Sequence, residues 1–371
     1  MQKKLIALAV AGLVSGAAFA QSNVTVYGVV DQAFVYGAGD NAAGDSQSFA
    51  GIQDGGQWSS RIGFKGEEAL GNGLKAQFQV EWGKNADTDA GIYARQSFVA
   101  LSGNFGTVGF GRQYSPSGLI MGGNSSNALT GINAMNQLQE GIGNLNGTMK
   151  SASGPSRWDN SIKYVSPNFS GFTAQAIYSF GETAANTTYL DKADISDNGK
   201  FGIAGSYKNG PFNIDLIYQA KYDVVTYTAT TSSNAYDMDE WYIGGAYDFG
   251  AAKVYASYQN LSNDASASYD ADMWSIGVRA PVSKVGAVYA EYAEISYDPN
   301  TGATQSLDGS SQGFSVGYDH DLSKRTRLYA AAAWMDHDDN VATVGRWGNA
   351  GGVAAAGEDS YNIMVGVRHA F

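Results

Sequence analysis

Runs of about ten residues in which apolar and polar side chains alternate fill most of this 371-residue chain. Residues 74–82 are one example, with alternate apolar side chains (Leu74, Ala76, Phe78, Val80, Trp82) against alternate polar ones (Lys75, Gln77, Gln79, Glu81). A period of two is the signature of a β-strand whose two faces meet different surroundings. The chain is therefore predicted to be all-β.

The connectors between these runs alternate between short and long. Short ones lie at 69–73, 103–106, 167–171, 208–211, 249–252, 281–286 and 322–326, and long ones near 37–56, 84–91, 114–156, 182–198, 223–238, 262–270, 298–311 and 336–358. This alternation predicts a 16-stranded antiparallel transmembrane β-barrel with both chain ends on the short-turn side. A soluble β-sandwich is the alternative, but its strands are shorter, near five or six residues.

Aromatic residues near the ends of apolar faces fit the interfacial girdles of such a barrel. The predicted members are Trp58, Trp82, Trp158, Tyr164, Trp241 and Tyr247. The closing strand, 361–371, has apolar residues at alternate positions and ends in Phe371. We expect it to pair with the first strand and so remove the last sheet edge, which lipid would not tolerate.

The first twenty residues have the composition of a secretory signal peptide. Lys3 and Lys4 precede an apolar run at 5–14, and Ala18-Phe19-Ala20 forms a small-x-small cleavage site. A mature barrel over 21–371 follows from this interpretation. The chain has no cysteine and a formal net charge of −12, so we expect neither disulfides nor a nucleic-acid partner.

Several segments, in order along the chain, are similar to those of one family. They are VTVYGVVD (24–31), SSRIGFKGEEALGNGLKAQFQVE (59–81), RQSFVALSGNFGTVGFGRQ (95–113), RWDNSIKYVSP (157–167), FSGFTA (169–174) and GVRHAF (366–371). With these segments the chain resembles the Gram-negative general porins, in particular the branch common in beta-proteobacteria. The resemblance implies a homotrimer among outer-membrane lipids, with periplasmic termini and a water-filled channel for inorganic ions and small hydrophilic solutes, without cofactor or reaction.

The resemblance also implies roles for particular segments. The third long loop, 114–156, would fold into the lumen as the constriction loop, and loop 84–91 would contact an adjacent subunit. Phe371 would be the assembly signal that the outer-membrane insertion machinery reads. Family members place acidic residues of the third loop opposite basic wall residues, whereas here that loop carries only Glu140.

Basic residues are the candidates for the pore constriction. Alternation puts Arg61, Lys65, Lys75, Arg157 and Lys163 on the polar, lumen-facing side. Arg95 is expected there too, although Val99 and Leu101 share its parity, and Arg112 requires a bulge or the loop base to reach the lumen. With Glu140 as the loop's only acid, the arginines should be largely unneutralised and favour anions moderately. The alternative is pairing with Asp31, Glu67, Glu81 or Asp159.

Two further motifs have weaker support. Residues 313–317 fit G-x-S-x-G, but a nucleophile elbow needs a strand–turn–helix context, and here the pattern continues as a strand. Residues 336–340 could bind calcium weakly, although a solvated acidic loop fits them better. An outer-membrane hydrolase and an adhesin or receptor with functional outer loops remain alternative classes.

Overall fold

The structure, a computed structural model, is a single closed antiparallel sheet. It describes residues 23–40, 43–89, 91–118, 157–181, 197–224, 236–265, 269–300, 308–339, 341 and 357–371. Within these ranges no helix is long and apolar enough to cross a membrane. The strands are β1 (Asn23–Asp40), β2 (Ser46–Asp54), β3 (Arg61–Gly71), β4 (Leu74–Lys84), β5 (Ile92–Gly103), β6 (Gly106–Tyr114), β7 (Arg157–Val165), β8 (Phe172–Ser179), β9 (Lys200–Asn209), β10 (Phe212–Val224), β11 (Tyr236–Asp248), β12 (Lys253–Asn263), β13 (Tyr269–Pro281), β14 (Gly286–Pro299), β15 (Gly309–Asp321), β16 (Thr326–His337) and β17 (Ser360–Ala370).

These strands occupy sixteen positions around the barrel, because β2 and β3 share one. The upper part of β1, residues 32–40, pairs with β2, and its lower part, residues 23–29, pairs with β3. The predicted barrel is thus confirmed, but the expectation of a loop over 37–56 is wrong. Both β1 and β2 extend the wall into that stretch, and the break lies later, at 55–60.

The barrel closes through its first and last strands. Residues 29–39 of β1 pair with 370–360 of β17. Below them, Gly28 and Phe371 exchange backbone hydrogen bonds of 3.1 Å in both directions. Phe371 is 46% exposed, on the outward face that it shares with Val365 and Val367. The predicted seal between the two chain ends is confirmed.

The short turns follow local sequence. Between β3 and β4, Asn72 and Gly73 have positive φ angles of 50° and 78°. Asn and Gly adopt this region more readily than other residues, and two-residue hairpins of matching twist require it. The segment 71–73 therefore turns the chain within a few residues, and the strand faces continue in register from β3 to β4.

The two faces of the wall differ as predicted, with exceptions. Phe64, Phe78 and Trp241 are 37–41% exposed on the outward, apolar face. Trp158, by contrast, is fully buried, and Trp58 stacks against arginines of the inner side, so neither belongs to the outer girdle. Apolar side chains also lie on the lumenal side, in two buried clusters that include Met238, Tyr242, Met273, Ile295 and Met335, and Ala33, Val35, Tyr289, Tyr329 and Met364.

The predicted signal peptide, 1–20, and most of the predicted constriction loop, 119–156, lie outside the described residues. The base of that loop is described. Ser117 donates its backbone N–H to Oε1 of Gln219 on β10 across 3.1 Å, and both side chains are buried. Pro116 lies near Gly202 of β9. From β6, the chain therefore turns towards the inner side of β9 and β10.

Candidate pore constriction

A β-bulge in β5 brings Arg95 to the lumen. Arg95 is the extra residue between the pairs Glu81↔Gln96 and Trp82↔Ala94. Beyond the bulge, Val99 is 55% exposed on the outward face, whereas Arg95 is 5% exposed. A bulge re-aims a side chain in this way. The bulge explains why Val99 and Leu101, which also have odd residue numbers, face outwards while Arg95 faces the lumen.

Glu81 joins two arginines of the lumenal wall. Its carboxylate lies 2.6 Å from Nε of Arg95 and 3.5 Å from Nε of Arg61, and the three side chains are 5–13% exposed. Tyr27 of β1 donates its hydroxyl to the same carboxylate at 3.0 Å. Since two guanidinium groups share one carboxylate, this trio of Arg61, Arg95 and Glu81 has a net positive charge.

Tyr114, at the base of the third long loop, connects the arginines of β5 and β7. Its hydroxyl accepts hydrogen bonds from Arg95 (3.0 Å) and Arg157 (2.7 Å), and the guanidinium of Arg157 lies 4.4 Å from its ring centroid. Lys163 donates to the Tyr114 carbonyl at 2.9 Å. The structure therefore brings together Arg61, Arg95, Arg157 and Lys163 of the predicted set, around Glu81 and Tyr114.

Arg112 does not join this group. It pairs with Ser97 on the outward face of β5, beside Phe110, and its guanidinium binds Asp159 at 2.7 Å. The predicted bulge does occur at this point, but the extra residue is in β7, between Trp158 and Ser161, and Arg112 keeps the parity of Phe110. The assignment of Arg112 to the constriction is therefore wrong.

Lys75 lies on the lumenal face but away from the arginines. It is the second residue of β4, about 20 Å along the strand from Glu81 at ~3.3 Å per residue, and its ammonium group lies 2.6 Å from the carboxylate of Glu67. Glu140 lies outside the described residues. The expectation that the arginines are largely unneutralised is wrong for Arg61, Arg95 and Arg112, because the alternative pairing, with Glu81 or Asp159, is present.

A second lumenal group of arginines was not predicted. Arg279 of β13 and Arg327 of β16 both bind Asp319 of β15, at 2.6 and 3.0 Å. Arg327 also donates two hydrogen bonds to the carboxylate of Asp321. Arg368 on β17 is the residue opposite Arg327 in the strand register. Alternation along these three strands gives all three arginines the lumenal face, so the same signal that identified Arg61 was present here.

The comparisons with known proteins agree with the barrel fold. A family model described as Gram-negative porin matches residues 7–340. The chain is a Gram-negative porin. It is 36% identical to outer membrane porin protein 32 of Delftia acidovorans over the full length of both chains. It is also 27% identical to the major outer membrane protein P.IB of Neisseria gonorrhoeae, covering 90% of this porin and 94% of that protein.

Among solved structures, the porin is similar to one described as an anion-selective porin from Comamonas acidovorans. The TM-score is 0.74 with 31% identity, covering 95% of this chain and 100% of that one. A second, OmpT of Vibrio cholerae in its trimer form, has a TM-score of 0.64 at 18% identity, over 94% of this chain and 99% of that one, which shows the fold alone. The porin is an outer-membrane protein whose relatives are channels rather than enzymes.

The two remaining motifs lie within β15 and at the end of β16. Ser315 of G-x-S-x-G lies in the middle of β15, paired with Glu291 and Ala333, and not at a strand–turn–helix elbow. In the predicted calcium segment, Asp338 accepts hydrogen bonds from the backbone N–H and hydroxyl of Ser310. Among the described residues, no group of three or more possible metal-binding side chains occurs.

Proposed function

We propose that this porin is a passive, water-filled channel for inorganic ions and small hydrophilic solutes, with a moderate preference for anions. The observation that carries the preference is the trio of Arg61, Arg95 and Glu81, in which two guanidiniums share one carboxylate. Arginine cannot lose its proton in a protein, so the positive charge is permanent. Rings of fixed charge at a narrow point set the ion selectivity of channels.

The net charge of the whole chain does not contradict this preference. The formal value is −12, but permeation depends on charges near the ion path. Carboxylates more than about 8 Å away are largely screened at physiological salt, whereas low-dielectric walls focus the field of charges inside the lumen. Asp45, Asp87, Asp89 and Asp338 lie in or beside outer loops, and their effect should be confined to the mouth.

The similarity to a structure described as an anion-selective porin, at 31% identity over almost the whole of both chains, supports this proposal. A pore preference for cations, read from the sign of the reversal potential across a bilayer in a potassium chloride gradient, would disprove it. The matched comparison is Arg95→Gln against Arg112→Gln. Of these two arginines, only Arg95 faces the lumen.

We further propose that the porin works as a homotrimer. The outward faces of β1, β5 and β6 carry mainly small and aliphatic residues (Gly28, Val30, Val99, Leu101, Val108), together with Phe34 and Phe110 but few Tyr or Trp, unlike the outward side at Trp241 and Trp274. The outward ion pair between Arg112 and Asp159 lies on the same side, where a protein neighbour suits it better than lipid. Cross-linking in mild detergent should trap trimers, and a stable monomer alone would contradict the proposal.

A further inference from the structure

An inserted segment, residues 55–60, interrupts the shared position of β2 and β3. The pairs Gln32↔Asp54 and Val29↔Arg61 flank it, so six residues stand opposite residues 30 and 31 of β1. The additional backbone cannot remain in the plane of the wall. Gly55, Gly56, Gln57 and Ser60 are buried. The segment therefore projects inwards.

Asp31 of β1 holds this segment in one conformation. Its carboxylate accepts the backbone N–H groups of Gln57 (3.1 Å) and Trp58 (2.8 Å). Its own N–H donates to the hydroxyl of Ser60 at 3.0 Å, and its carbonyl accepts the N–H of Gly55 at 2.8 Å. Hydrogen bonds to a buried carboxylate are among the stronger ones in proteins. These four hydrogen bonds with one residue fix the segment against the inner side of the wall.

The segment also reaches across the seam where the barrel closes. Gln57 donates its side-chain N–H to Asp319 of β15 at 2.6 Å, although β1, β17 and β16 lie between the two positions in the sheet. Tyr329 of β16 donates its hydroxyl to Asp31, and Gly56 lies so close to that hydroxyl that a Cβ would be 2.0 Å from it. The segment thus covers part of the inner surface of β1, β17 and β16 and narrows the lumen there.

Trp58, the largest side chain of the segment, lies between two arginines. Its ring centroid is 5.1 Å from the guanidinium carbon of Arg61 and 5.7 Å from that of Arg368. Both distances are within the ~6 Å at which a guanidinium is attracted to an indole ring. Among the described residues, Arg368 forms no ion pair, whereas neighbouring Arg279 and Arg327 both bind Asp319. Trp58 therefore supplies the ring contacts that orient Arg368.

We propose that residues 55–60 form a second constriction element and that Trp58 is a positioning residue for anion selectivity, holding Arg61 and Arg368 towards the ion path. The inference rests on the proposed function and deepens it, because it extends the positive field from β3 across the seam to β17. Stacked guanidinium groups keep their N–H edges available for passing anions. Losing the ring should release Arg368 and widen the lumen at this point, whereas Arg61 would lose only its ring contact and keep Glu81 and the Ser59 carbonyl as partners.

The test compares Trp58→Leu with Trp58→Phe in single channels. Trp58→Leu should raise the conductance and lower the chloride-over-potassium permeability ratio by about twofold, because the guanidiniums lose their ring contact. Trp58→Phe keeps an aromatic face and should keep most of the ratio. Trp241→Leu is the matched control, since Trp241 is 41% exposed on the outward face, and should change neither quantity. Heat-modifiable barrel in outer-membrane fractions verifies assembly of each variant.

Three outcomes would overturn the inference. These are an unchanged ratio and conductance in assembled Trp58→Leu, an equal loss of ratio in the Leu and Phe variants, and a change of the same size in Trp241→Leu. If Trp58→Leu does not assemble, Arg368→Gln replaces it, with the same expected loss of ratio, and Arg368→Lys should keep part of it. A cation preference in the unmodified channel would instead contradict the proposed function, while a raised conductance in Trp58→Leu would still support the constriction element.

Discussion

Arg95 donates its Nε–H to Glu81 across 2.6 Å, and both side chains are about 5–6% exposed on the inner wall of the barrel. Glu81 lies 3.5 Å from Nε of Arg61 as well. This single carboxylate therefore limits the positive field of two arginines. Replacing Glu81 by Gln, which has nearly the same shape, therefore changes the charge of this group by one unit.

Glu81→Gln should make the channel more anion-selective. The variant removes one negative charge but keeps an oxygen that can accept a hydrogen bond from Arg95, so we expect the chloride-over-potassium permeability ratio to rise by about two- to threefold. Reversal potentials in a potassium chloride gradient measure this ratio. The matched control is Glu67→Gln, because Glu67 is half exposed beside Lys75 and remote from the arginines. A fall in the ratio for Glu81→Gln, or an equal rise in the control, would contradict the assignment.

The two faces of the wall provide a second prediction. Arg95→Gln should lower the anion preference clearly, by about twofold or more, because it removes a permanent lumenal charge. Arg112→Gln should leave it nearly unchanged, since Arg112 faces outwards and binds Asp159. Both substitutions remove the same charge from the chain, so they separate position from net charge. Equal effects on the reversal potential would mean that the outward placement of Arg112 is incorrect.

Most of the barrel follows from the period-two pattern, because each strand has one face towards lipid and one towards the lumen. The short turns, the order of strands and the outward face of the last strand agree with the sequence-based prediction. In β5, the pattern had left Arg95 on the same face as Val99 and Leu101, and the bulge resolves this conflict. The position of an extra residue depends on the partner strand. It is therefore not visible in one strand alone.

The inserted segment shows what the pattern could not supply. Trp58 has the same parity as Ile62 and Phe64, so alternation placed it on the lipid face. Its position instead depends on Asp31 and Arg368, one of which is 27 residues away and the other at the far end of the chain. The contact with Asp31 depends on the pairing of β1 with β2 and β3, and the contact with Arg368 arises only when the barrel closes. The third long loop, at 119–156, lies outside the described residues, so the role of Glu140 there stays a prediction.

The seam between the first and last strands predicts a folding defect. A Cβ on Gly28 would lie 2.3 Å from the ring of Phe371 and 2.6 Å from the carbonyl oxygen of Arg61. Gly28→Ala should therefore reduce the amount of heat-modifiable barrel in outer-membrane fractions. Gly245→Ala is the control, because its nearest contact would be at an ordinary 3.6 Å. Equal yields of the two variants would show that the seam tolerates the displacement.

Phe371 itself should be needed for assembly. Its backbone exchanges two hydrogen bonds with Gly28, and its ring is exposed on the outward face at the end that carries both chain termini. Deleting Phe371, or replacing it with Asp, should lower the inserted fraction, because the last strand loses its interfacial anchor. Phe371→Tyr keeps an aromatic ring and should assemble normally. Unchanged insertion of the deletion variant would argue against this role.

The sign of the reversal potential of the unmodified channel tests the central claim most directly. Purified porin in a planar bilayer, with a potassium chloride gradient across it, reports the permeability of chloride relative to potassium. The trio of Arg61, Arg95 and Glu81 predicts a moderate chloride preference that persists although the chain is acidic. A clear potassium preference would contradict the assignment of these arginines to the narrow part of the pore.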